Sequence, residues 1–349
     1  MASALRATIL AILAAMLGAC GHGGGGGGGG SGTPTEIPPA PAPNQTPAPA
    51  QQNETPAQDQ NAQRQSPPPD NAPRTDVSFT SFSAVKPSQN VRMSGEDRAI
   101  VAKQLSDGTV QPITTNTGAE RDATLTLGFD SKRSLAAITI RDFPESTNNV
   151  AFDRSAGHTI SCNGGGICTA SSPTASAVIG DALGNGWNYQ TYGVWAVQFN
   201  PTIVAFGAVS AGTATPGNAV PTTGTANFFG STSGYFLDAA GIRHTTNAEM
   251  IANVDFQNRA IGFNTHDTTF SNSTGGGIHE GLNLFGTLTW APGFNRFSGR
   301  VQTADRTLDG NASGKFYGPK AEEIGGTYQL GGTQEGVSRM IGGFGGVKR

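Results

Sequence analysis

The chain has 349 residues, 50 of them glycine and 21 proline, and 13% are charged, 22 Lys and Arg against 25 Asp and Glu, for a formal net charge of −3. No cluster of Lys or Arg exists, which removes the electrostatic footing for binding nucleic acid or another polyanion. Low charge, frequent glycine and short alternating apolar runs argue against a helical protein and for an all-β one.

The N-terminus opens with a positive charge at Arg6, continues through an apolar run from Ile9 to Leu17, and reaches the small residues Gly18 and Ala19 ahead of Cys20. This is the pattern of a secretory signal peptide over residues 1–19, too short to span a bilayer. Its end, Leu-Gly-Ala-Cys, resembles the lipobox of bacterial lipoproteins. The resemblance implies that Cys20 carries a diacylglycerol thioether and an acylated amine after cleavage. The other reading, an ordinary cut near Ala19, would leave a secreted protein with an odd free thiol. Each buried methylene contributes about 0.8 kcal/mol and two lipid signals already anchor stably, so three chains hold permanently. Gly21 rather than Asp follows the cysteine, as in lipoproteins sorted to the outer membrane.

Residues 20–75 read as a lipid-anchored tether. Glycine fills positions 23–30, and a mixture of Pro, Ala, Gln and Asn continues to Pro73 with almost nothing apolar to bury. At roughly 5–6 Å times the square root of chain length, such a tether reaches about 40 Å on average.

The remainder reads as two parts, a β-rich handle over 76–216 and a β-barrel over 217–349. In the handle, "ATLTLGFD" puts Leu125, Leu127 and Phe129 on one face, and "LAAITI" and "NYQTYGVWAVQF" continue the strand pattern between Ser/Gly/Asn loops, giving an irregular impression. Trp187, Tyr189, Tyr192 and Trp195 read as handle core, with a partner-binding ridge as the alternative. Cys162 and Cys168 flank "NGGGI" in an oxidising compartment, which predicts a disulfide. A zinc reading that adds His158 lacks a fourth ligand nearby.

Downstream the rhythm tightens. Met250, Ala252, Val254 and Phe256 share one side, Gln257-Asn258-Arg259 turns the chain, and Ile261 and Phe263 follow. Leu282, Leu284, Leu288 and Trp290 alternate before the turn Ala291-Pro292-Gly293. About eight strands with short turns predict an up-and-down antiparallel barrel whose interior is filled by its own side chains.

The run "ASGKFYGPKAEEIGGTYQLGG", with Gly314, Phe316, Tyr317, Gly318, Pro319, Ala321, Glu322, Glu323, Gly325 and Gly326, resembles the barrel signature of the transferrin-binding protein B family. "VDFQNRAIGF", "FSGRV" and "VPTTGTANFFGSTSGYF" resemble further strands of those barrels. The resemblance implies a surface lipoprotein with a handle and a C-terminal eight-stranded antiparallel β-barrel, all-β throughout. Large transferrin binders carry two such lobes and this chain has room for one. The signature itself is architectural: Pro319 ends a strand, and Ala321-Glu322-Glu323 makes a solvated turn. Neighbouring carboxylates on an extended chain face opposite ways, which argues against acid/base work by the Glu322–Glu323 pair.

No catalytic constellation is legible: His279-Glu280 lacks a second histidine, and no nucleophile elbow or phosphate loop is present. His244, His266 and His279 read as loop polarity, haem or metal ligation being the alternative. The expectation is therefore a non-enzymatic, cofactor-free binding module on the outer membrane, displayed at the cell surface by its N-terminal lipid. Its partners would be a host or environmental protein, or haem, an uptake receptor and a surface-export translocator, in iron or solute acquisition. An adhesin or complement-factor-binding lipoprotein is the alternative.

Overall fold

The computed structural model describes residues 73–349 except 114–119, 142–149, 163, 165, 274 and 333–337. The signal peptide, Cys20 and the tether to residue 72 lie outside the described residues. Near the start of the described residues the Arg74 guanidinium bonds Asp153 and Asn90, and Thr75–Ser78 runs parallel to the start of the strand Gln89–Gln104.

The C-terminal part is the expected barrel. Its strands are Thr225–Leu237, Arg243–Asp255, Ala260–Asn272, Leu284–Trp290, Arg296–Thr303, Leu308–Tyr317, Glu323–Gly332 and Arg339–Lys348. Each pairs antiparallel with the next, and the last pairs with the first, from Phe228↔Lys348 to Leu237↔Arg339, so the cylinder closes. One further short strand, Gly275–Ile278, extends the far end of Ala260–Asn272. The predicted turns are present. Asp255 accepts from Asn258 N at 3.0 Å and Arg259 takes a positive φ of 52°, while Gly293 takes 77° after Pro292. Leu282, expected in the alternating strand, sits instead in a short 3-10 turn, Glu280–Leu282, yet stays buried.

Alternation puts the large side chains inside. Phe228, Phe256, Phe263, Phe297, Phe316, Tyr328 and Phe344 are among the most completely buried side chains and belong to one apolar cluster. The Phe316 ring is the hub, its centroid 5.1 to 6.3 Å from those of Trp290, Phe297, Phe256 and Phe228. The lumen is a packed core.

The upstream part is more regular than its sequence suggests. Eleven strands form one sheet, nine of them in the order Val150–Asp153, Leu135–Arg141, Arg121–Phe129, Gln89–Gln104, Ile203–Gly212, Gln190–Asn200, Ala175–Gly180, Ile167–Ser171, Thr159–Cys162. Its two outermost strands are consecutive in the chain, joined through the short 3-10 turn Arg154–Ala156, so the sheet curls nearly shut. The irregular impression came from non-local pairing: Gln89–Gln104 pairs with Arg121–Phe129 on one side and with the much later Ile203–Gly212 on the other, and no short turn announces the second partner. Leu125, Leu127 and Phe129 do face its core, beside Trp187, Tyr192 and Trp195.

The sheets pack through a layer in which Val194, Ala196, Phe206 and Ala208 of the handle meet Tyr235, Leu237 and Ile341 on the outside of the barrel. Phe316→Ala should cost about 3–5 kcal/mol, the usual range for emptying a large aromatic site in a core. Urea denaturation of the purified variant checks this, and a loss below about 1 kcal/mol would mean the lumen is loosely filled.

Candidate functional site

The signature run lies on the seam between the two sheets. Its strand stops at Tyr317, Gly318 turns with φ 87°, and Ala321 follows with φ 59°. The handle grips this turn. Gly318 N donates to Thr213 O at 2.9 Å, Thr215 N to Phe316 O at 2.9 Å, and the Thr215 hydroxyl to Gly318 O at 2.6 Å, while the Tyr317 and Ser210 hydroxyls bond at 3.1 Å.

Glu323 overturns the solvated-turn reading. Glu322 does serve the turn, accepting from Lys320 N at 2.8 Å, but Glu323 points the other way and is 1% exposed. Its carboxylate accepts from three consecutive backbone N–H groups of the handle: Asn188 on one oxygen, Tyr189 at 2.9 Å and Gln190 at 3.0 Å on the other. Burial pushes the carboxyl above its usual range against those donations. The donors lie far upstream in the sequence, so no local pattern marks the residue. Beside it, Gly345 lets the backbone approach: a Cβ there would stand 2.5 Å from the Gln190 amide nitrogen.

A charged cluster fills the same seam. Glu96 and Arg98 come from the central handle strand, Glu120 from the start of its neighbour, and Arg296, Lys315, Ser313 and Thr327 from the barrel. Arg98 reaches Thr327 Oγ1 at 3.0 Å, Ser313 Oγ at 2.6 Å and Glu120 at 3.1 Å; Lys315 lies 2.6 Å from Glu96, and Arg296 pairs with both carboxylates. Burial, and then the hydrogen bond to Glu120, push Glu96 up to about 7. Burial acts on Glu120 in the same sense, but its hydrogen bonds with Glu96 and Ser313 and the charges of Arg98 and Arg296 hold it below the usual range.

The remaining sequence candidates are dispersed. Cys162 and Cys168 face each other in an antiparallel pair and are disulfide-bonded. The Asp181 carboxylate lies within 4.8 Å of both sulfurs, which are spent on each other, and His158 accepts instead from Asp153 N at 3.1 Å. His244 is no loop residue. It lies in a barrel strand, nearly buried, stacked on Phe236, with Nε2 3.0 Å from Asp238 Oδ2 and Nδ1 3.3 Å from the Asn272 amide, so both ring nitrogens are engaged. His266 is also a strand residue, exposed on the outer face, and His279 is exposed beside Phe270. Tyr192 belongs to the handle core as expected but also reaches Ser231 of the barrel at 2.8 Å, and Tyr189 is half-buried.

Further along the seam an open cleft of about 850 Å³ runs between the sheets. Its walls come from Gln104 and the turn 107–110, the turn 171–176, the strand ends at 196–198 and 204, and, from the barrel, Ile242, Arg243, Thr245 and residues 271–273. One guanidinium, that of Arg243, and one carboxylate, that of Asp107, stand in a lining otherwise dominated by hydroxyl, carboxamide and small apolar groups. Nothing local in the sequence foretells this cleft, since its walls come from five separate stretches.

Residues 220–348 match the family model described as the C-lobe and N-lobe beta barrels of Tf-binding protein B. Among solved structures, a Transferrin Binding Protein B mutant from Haemophilus parasuis Hp5 is 11% identical with a TM-score of 0.38, over 76% of this chain and 78% of that one. A structure titled Surface Lipoprotein is 11% identical with a TM-score of 0.40, over 73% and 98%. Isotype 1 Transferrin binding protein B from serogroup B Neisseria meningitidis is 14% identical with a TM-score of 0.35, over 75% and 77%. No curated protein matches the chain significantly.

Two outcomes follow for the seam. Glu323→Gln places an amide NH2 where only acceptors fit and should cost about 2 kcal/mol or more by leaving buried N–H groups unpaired; a melting curve indistinguishable from wild type would contradict the clamp. Because Glu96 has a folded pKa above its unfolded value of 4.5, the folded state binds the extra proton. Stability should therefore fall as pH rises from about 4.5 to about 7, by on the order of 2 kcal/mol. Chemical denaturation at a series of pH values should show this slope in the wild type and a flattened one in Glu96→Gln.

Proposed function

We propose that this chain, which carries in residues 220–348 a barrel of the transferrin-binding protein B type, is a non-catalytic lipoprotein anchored to the outer membrane through Cys20, displayed at the cell surface, that captures a protein for iron or solute acquisition. The barrel match carries the reading. The family model and two of the three solved structures above are named for binding transferrin, and a protein is the class of ligand we assign here. The filled lumen supports contact on the outer surface and rim: with Phe228, Phe263, Phe316, Tyr328 and Phe344 fully buried, the barrel interior is occupied by its own rings. The wide seam, with its apolar layer, charged cluster and Glu323 clamp, supports a rigid two-sheet platform for that contact. Haem is the lesser reading, since His244 has both ring nitrogens engaged and only the exposed His266 and His279 stand free to ligate it among the barrel histidines.

Intact cells producing the protein should lose residues 73–349 to added protease, and Cys20→Ser should shift the folded part out of the membrane fraction. On a sensor surface the purified chain should retain a protein ligand, with iron-loaded transferrin as the first probe, and should leave the haem absorbance band unmoved. Protection from protease until the outer membrane is permeabilised would exclude capture from outside.

A further inference from the structure

We infer that the cleft around Arg243 is a binding site for a carboxylated sugar. Arg243 opens its barrel strand, half-buried, with its guanidinium carbon 5.3 Å from the centre of the Tyr235 ring and 5.9 Å from that of Phe206. The two rings, set edge to face, hold the group by cation–π attraction, and its hydrogen-bond donors are unused: among the described residues the Arg243 guanidinium makes no ion pair and no hydrogen bond. The acid nearest in sequence is already committed. Asp238 Oδ1 accepts from Ala240 N at 2.9 Å and Ile242 N at 2.8 Å, and its Oδ2 faces His244 at 3.0 Å. A fixed guanidinium with a free fork recognises a carboxylate through two parallel hydrogen bonds.

The rest of the lining selects what carries that carboxylate. Thr174, Thr245 and Ser271 offer hydroxyls that make no side-chain hydrogen bond among the described residues. Asp107 accepts from Thr109 N and Oγ1 at 2.9 and 2.7 Å, which hold its carboxyl below the usual range, so it is ionised and accepts from ligand hydroxyls. An anion without hydroxyls would meet the Asp107 charge with nothing to offset it. The apolar lining is interrupted by hydroxyl and carboxamide groups, which leaves no continuous apolar slot for an alkyl chain, and a phosphate group is better met by a cluster of cations than by one. Exposed Ile242, on the lining, supplies a small apolar face for the C–H side of a sugar ring. The volume of about 850 Å³ suits one to three sugar units. The inference does not depend on capture of a protein ligand, because its readout is a free sugar on the isolated chain.

Isothermal titration of the purified chain with N-acetylneuraminate and with glucuronate tests it, with glucose, acetate and inorganic phosphate as controls. The expected result is saturable binding of at least one sugar acid, about tenfold or more tighter than acetate or phosphate, with no saturation by glucose. Arg243→Met should weaken that binding about tenfold or more, and Thr245→Val several-fold, at unchanged melting temperature. Arg243→Lys keeps the charge and loses the fork, so it should weaken binding too, and it stands in if the Met variant misfolds. Absence of saturable sugar-acid binding at tens of millimolar, equal binding of acetate or phosphate, or full binding by a folded Arg243 variant would each overturn the inference.

Discussion

The two sheets of this molecule meet along a seam in which the buried Glu323 carboxylate of the barrel holds the backbone of the handle. Three successive N–H groups at the entry to a handle strand have no carbonyl to meet, and one side chain from the barrel satisfies them all. A carboxylate is the side chain best suited to the task, because it has two oxygens, several acceptor directions and no hydrogen of its own. Around it the barrel wall is stripped of side chains at Gly343 and Gly345, so that Tyr192 and Gln190 lie against the backbone itself. The polar anchor sets where the sheets meet, and the glycines set how closely.

That arrangement divides labour between the faces of the barrel. Inside, aromatic rings pack around Phe316 and give the cylinder its own core. Outside, the wall facing the handle carries the apolar Tyr235, Leu237 and Ile341 and a charged cluster whose members come from both sheets. Ion pairs of this kind add little net stability once desolvation is counted, but they are costly to misalign, so they fix register more than they add strength.

Legibility in the sequence followed locality. The barrel could be read because each strand pairs with its neighbour through a short turn, and residues such as Met250, Ala252, Val254 and Ile261 keep strict alternation. The handle could be read only as a set of strands, since Gln89–Gln104 finds one partner much later in the chain and carries Glu96, Asp97 and Arg98 in its middle, a polar run that looks like a loop until its partners surround it. Glu323 and His244 depart from their sequence expectation for the same reason: each is a polar residue whose burial depends on groups that only folding brings near. Arg243 gives no sign of its setting in sequence, because the rings beneath it belong to two different sheets.

The nearly shut handle has a consequence for crowding. Its outer strands, Val150–Asp153 and Thr159–Cys162, are the places where unpaired ladder groups could recruit the matching strand of another molecule. Both are short, and the connection Arg154–Ala156 brings them round toward each other, with Arg154 reaching back to the Ile160 carbonyl at 2.9 Å. Copies of the folded part can therefore stand side by side at high local concentration without zipping into aggregates, each presenting its outer surface separately.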